Sequence, residues 1–173
     1  MKSQTRALSF TALSVAGAVV VLYFGTFIPA MRLTIVAIAA LFTAVTVIEG
    51  GLKYGTLCFA AVSLLGFFIL PDRVGALLYI TFFGAYPLVK SMAERRKSVM
   101  IQWVIKGIVF LLVLTLYLTL LSELILGAIF AESWGTPIIY AGGILAFIVY
   151  DIGMSKLIGF YLARIYKHRE GRY

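Results

Sequence analysis

Residues 101–130 read IQWVIKGIVFLLVLTLYLTLLSELILGAIF, and the only ionisable side chains in that run with a formal charge are Lys106 and Glu123. The run exceeds the roughly 20 apolar residues that a helix needs to cross the hydrocarbon core of a bilayer. It does not alternate with period two, and it is far longer than the roughly ten residues of a membrane β-strand. In lipid every backbone N–H and C=O must find its partner within the protein, and a helix supplies those partners by itself. The stretch therefore reads as a transmembrane α-helix.

Five further apolar runs flank it, bounded by Pro29, by Glu49-Gly50-Gly51, by Pro71-Asp72-Arg73 and by the charged stretch 90–97. The six predicted spans are 7–28, 33–48, 52–70, 74–89, 101–130 and 137–163. The second is short and the fifth is long, so tilt or an extension beyond the bilayer is expected for them. Composition agrees: 62% of the chain is apolar, 13% is charged and the mean hydropathy is +1.05. A soluble domain carries about twice that charged fraction. The expected fold is all-α, an integral membrane six-helix bundle forming a single domain over 1–173. The run 7–28 follows Lys2 and Arg6, but its length and the spans after it favour a retained helix over a signal peptide.

The basic residues give the bundle a direction. Lys2, Arg6, Lys53, Lys90, Arg95, Arg96, Lys97, Arg164, Lys167, Arg169 and Arg172 fall on one side under a single alternating assignment. Arg32 and Arg73, with Asp72 and Glu132, fall on the other. By the positive-inside rule both termini are expected in the cytoplasm, which suits a plasma-membrane protein. The net charge of +8 is thereby absorbed by topology, and nucleic-acid binding is not expected.

Chemistry-bearing motifs are sparse. Cys58 is the single cysteine and His168, in the basic tail, the single histidine, so neither a disulfide nor a metal site is expected. There is no phosphate-binding glycine loop and no metalloprotease pattern. The serines lack a histidine or a persuasive lysine partner. We therefore expect no enzymatic activity and no cofactor.

Four ionisable residues lie inside apolar runs: Lys106, Glu123, Asp151 and Lys156. A charge at the bilayer centre costs about 2.5–3.5 kcal/mol on insertion scales, so each must face protein or water. Snorkelling to the headgroups explains Lys106 and Lys156 most simply. Asp151 is deeper, and either Lys106 or Lys156 would neutralise it as an intramembrane charge pair. Glu123 falls in the outer half of the fifth span. Arg32, Tyr117, Trp134 and Tyr140 collect near it, a set suited to a small aromatic or cationic ligand; an interfacial aromatic belt is the plainer reading.

Small residues mark packing faces on the first span. Ala12 and Ala16 stand one turn apart, and Ser14 and Ala18 repeat the spacing. Such faces let another helix approach closely, within the chain or from a partner.

The stretch from Arg6-Ala7-Leu8 to Ala16, the stop Phe27-Ile28-Pro29 and the turn Glu49-Gly50-Gly51-Leu52-Lys53-Tyr54-Gly55 together resemble the S component of energy-coupling-factor (ECF) vitamin transporters. The resemblance is to the general architecture of that family and covers most of the chain. It implies a small-molecule substrate held near the extracellular side. It also implies a membrane coupling subunit, driven by two ATPases, as partner. Carried over, Ala12 and Ala16 become docking positions and Arg32 a residue of the first-loop lid. Glu123 and Trp134 become pocket candidates by position. Two other functions stay open from the residues alone: a membrane interaction or assembly protein using the Ala12 face and the 90–97 loop, and a small ion- or proton-coupled carrier using Asp151.

Overall fold

The structure is a computed structural model that describes residues 2–120 and 135–163. Among them every regular element is helical, and six stretches are long and apolar enough to cross a membrane. These are Gln4–Gly25, Pro29–Gly50, Leu52–Ile69, Arg73–Ala93, Val99–Thr119 and Pro137–Tyr161. The outside of the protein is apolar: Leu13, Phe68 and Met100 are more than 70% exposed. A water-soluble surface does not display large apolar side chains in this way, whereas a lipid-facing one does.

The contacts divide the chain into two compact units, Met1–Val109 and Phe110–Tyr173. In the first, α1 (Lys2–Gly25) and α2 (Arg32–Gly50) form a helical hairpin around a short 3₁₀ turn, Pro29–Met31, and α1 also packs on α3 (Leu52–Ile69). Thr11, Ser14, Ala18, Leu22 and Gly25 recur every three or four residues and make the buried side of α1. The α2–α3 connection is a single residue, Gly51, whose φ of +82° lies in the left-handed region. Glycine enters that region without a Cβ penalty. Pro71 closes α3 by forcing Leu70 into an extended conformation (φ −72°, ψ 131°).

The expected fourth span is interrupted. Its parts are α4 (Arg73–Leu78), a π turn over Tyr79–Phe83 and α5 (Tyr86–Ala93). Pro87 explains the break: it offers no N–H to the carbonyl of Phe83, and its ring crowds that carbonyl. The Gly84 N–H bonds back to the Tyr79 carbonyl at 2.7 Å, the five-residue step of a π turn. This turn aims Tyr79 and Phe82 into the core, where Phe82 meets Tyr86 at 5.3 Å and Tyr79 stacks on Phe59 at 6.2 Å.

The division falls within α6 (Val99–Leu120), and the second unit continues through α7 (Gly135–Tyr161). Within that unit Phe110 stacks on Phe147 with centroids 4.6 Å apart. Gly143 lets α7 approach Phe110 and Leu114 closely.

Candidate functional site

Three groups of candidate residues can be placed. The first surrounds Arg32, which begins α2. Its Nε donates to Asp72 Oδ2 at 2.7 Å. Asp72 sits at the N-cap position of α4 but makes no side-chain capping bond, and its carboxylate faces Arg32. Gly75 keeps the place open, since a Cβ there would lie 2.8 Å from Asp72 Oδ2. Beside the pair is a cavity of about 10 Å³, lined by Leu22, Gly25, Ile35, Val36 and Leu70. That volume holds one water molecule at most. Arg32 thus joins the start of α2 to the α3–α4 turn. Next to it Arg73 lies over the Phe67 ring and donates to the Phe67 carbonyl.

The second group lies in the second unit. Thr115 and Tyr140 share a hydroxyl hydrogen bond of 2.9 Å, joining α6 to α7, and Tyr117 is buried nearby in sequence. Glu123 and Trp134, the other two pocket candidates, lie outside the described residues. Asp151 is 3% exposed on α7. Lys156, five residues further, is exposed.

The third group was not assembled from the sequence. Lys90, expected in the charged loop 90–97, is instead 2% exposed and part of α5. Its Nζ lies 2.7 Å from Glu94 Oε1, and Lys106 Nζ from α6 reaches the same oxygen at 2.9 Å. Glu94 is thus one carboxylate partner shared by two buried lysines. Burial alone would raise its carboxyl pKa; the hydrogen bonds and charges of Lys90 and Lys106 outweigh that and hold it below the usual value. The four-residue spacing of Lys90 and Glu94 was a readable signal.

The first unit also holds a buried polar contact between α2 and the π turn. Thr43 Oγ1 and Tyr79 OH are 2.7 Å apart, with Cys58 Sγ 4.0 Å from the threonine. It depends on the π turn, which no spacing announced.

The small residues of α1 separate into two stripes. Ser14 and Ala18 are buried, at 5% and 0% exposure. Ala12 and Ala16 are exposed. Among the described residues no group of three or more His, Cys, Asp or Glu could hold a metal ion. Comparison with protein-family profiles, with curated proteins and with solved structures finds no match.

Proposed function

We propose that the chain is the substrate-capture subunit of an ATP-driven uptake transporter for a small micronutrient, similar to an ECF S component, in the plasma membrane with both termini cytoplasmic. The observation that carries this reading is the division of α1. Ser14 and Ala18 serve the protein's own packing, whereas Ala12 and Ala16 remain outward. Helices in lipid associate through close backbone approach rather than hydrophobic drive, so an outward alanine stripe suits docking on another membrane subunit. The substrate end is assigned to the second unit, to the hydroxyl pair Thr115–Tyr140 and Tyr117, with Glu123 and Trp134 as candidates by their position in the sequence.

The test is a thermal-stability screen of the detergent-purified chain against water-soluble vitamins and related micronutrients. A ligand at a hundred times its Kd stabilises by about 2.7 kcal/mol, well within detection. One compound class is expected to raise the melting temperature, and an ATPase-driven module to co-purify from native membranes. Indifference to the whole panel would leave the second reading, an assembly protein without ligand. That reading is favoured by the exposed turn Arg95-Arg96-Lys97, which presents three cations to a partner.

A further inference from the structure

The turn between α5 and α6 carries Arg95, Arg96 and Lys97, all three exposed. Among the described residues none of these side chains meets a carboxylate. Glu94, the acidic residue beside them, already receives Lys90 and Lys106 on one oxygen. The turn is tied to α6: Gln102 Nε2 donates to the Arg96 carbonyl at 2.8 Å, and the Arg96 N–H bonds to the Ala93 carbonyl at 3.0 Å. Two residues past Lys97 the surface turns apolar, with Val99, Met100, Ile101 and Trp103 exposed. We propose that this turn selects anionic phospholipids, binding the headgroup phosphate of a lipid whose acyl chains lie against the exposed start of α6.

Contiguity of charge and apolar surface selects the occupant. The Trp103 ring lies 5.8 Å from Lys106 Nζ, and Lys106 reaches Glu94, the residue before Arg95. The cations and the apolar start of α6 therefore adjoin in space as well as in sequence. A phospholipid presents a phosphate and hydrocarbon side by side; a free phosphate leaves the apolar part uncovered, and an acidic protein segment has no need of it. Position agrees: exposed tryptophans gather at the headgroup level of a bilayer, and basic clusters at the end of a span draw anionic headgroups, each cation by about fivefold. Lys53, exposed at the start of α3, stands at the same end of the unit, since Gly55 lies against Leu88 of α5.

The experiment is fluorescence quenching in vesicles. The chain has two tryptophans, so Trp134→Phe leaves Trp103 as the reporter. This chain is reconstituted in phosphatidylcholine containing either brominated phosphatidylglycerol or brominated phosphatidylcholine with the same acyl chains. Quenching of Trp103 should show phosphatidylglycerol bound about fivefold more tightly, the factor for one cation meeting one headgroup charge. The combined substitution Arg95→Gln, Arg96→Gln and Lys97→Gln should bring the two lipids to the same affinity. Raising the salt to about 1 M, where the screening length falls to about 3 Å, should shrink the preference in the unsubstituted turn, and it tests the proposal without that variant should the variant fail to fold. Equal quenching by the two lipids overturns the proposal and returns the three cations to a protein partner. A preference that survives the triple substitution overturns it too, as does displacement by inorganic phosphate at constant ionic strength. Only the chain and lipid are in the vesicle, so the result is separate from the capture reading.

Discussion

Lys106 on α6 donates to Glu94 at 2.9 Å, on the same carboxylate oxygen that Lys90 meets at 2.7 Å from the preceding turn of chain. One half-exposed carboxylate is thus shared by two ammonium groups that are almost wholly buried. Removing it takes a shared negative charge away from both of them. Glu94→Gln is expected to destabilise the protein by roughly 1–3 kcal/mol, less than a fully buried pair because Glu94 is 43% exposed. Replacing Lys90 by Met in the same background should recover part of that loss, measured as reversible unfolding in mixed detergent.

The same carboxylate gives the protein an acid limit. Its folded-state pKa lies below the ordinary 4.5. The stability it adds is therefore complete above that value and is lost as pH falls through the lower folded value. Melting temperature measured from pH 7 down to 3 should fall below about pH 4.5 in the native chain and change less in Glu94→Gln. An equal fall in both would refute the assignment.

Arg32 and Asp72 form a contact forty residues apart in sequence. With the two side chains 32% and 15% exposed, the pair is expected to couple by about 1 kcal/mol. A double-mutant cycle of Arg32→Gln and Asp72→Asn isolates that term. Additive effects of the two substitutions would show that Arg32 is not held by Asp72 and is available to a ligand.

Gly55 sits where α3 crosses α2. A Cβ there would lie 2.2 Å from Val47 Cγ2. Gly55→Ala should cost about 1–3 kcal/mol through overpacking, and Val47→Ala in the same chain should restore most of it. Thermal unfolding of the two single variants and the double variant decides the matter.

The helices were legible because apolar runs of spanning length leave one economical solution in lipid, and because Pro29, Gly51 and Pro71 mark their ends. What sequence reading missed was tertiary or local. Lys90 looked like a loop cation because its neighbours Arg95, Arg96 and Lys97 are, yet α5 continues past it and buries it. Glu94 is paired in the structure with a lysine twelve residues away, a distance no helical period predicts. The π turn follows from Pro87, which was visible, but its consequence, the Tyr79–Thr43 contact, needs the packed core. Arg32 and Asp72 had been assigned to one side of the membrane, so topology brought them near each other; only coordinates joined them.

The division of α1 into two stripes makes the last prediction a contrast between neighbours. Ala18→Trp inserts a large ring where there is no exposed surface, and overpacking should destabilise the chain by several kcal/mol. Ala12→Trp places the same ring on an exposed position, where substitutions typically shift stability by no more than about 0.5 kcal/mol. Its effect should appear instead in function. If α1 docks on a coupling subunit through this stripe, the Ala12→Trp chain binds ligand normally and melts normally, yet supports no ATP-driven uptake in proteoliposomes with the coupling module. Normal uptake by that variant would refute the docking face, because a tryptophan cannot be accommodated where two helices meet through alanine.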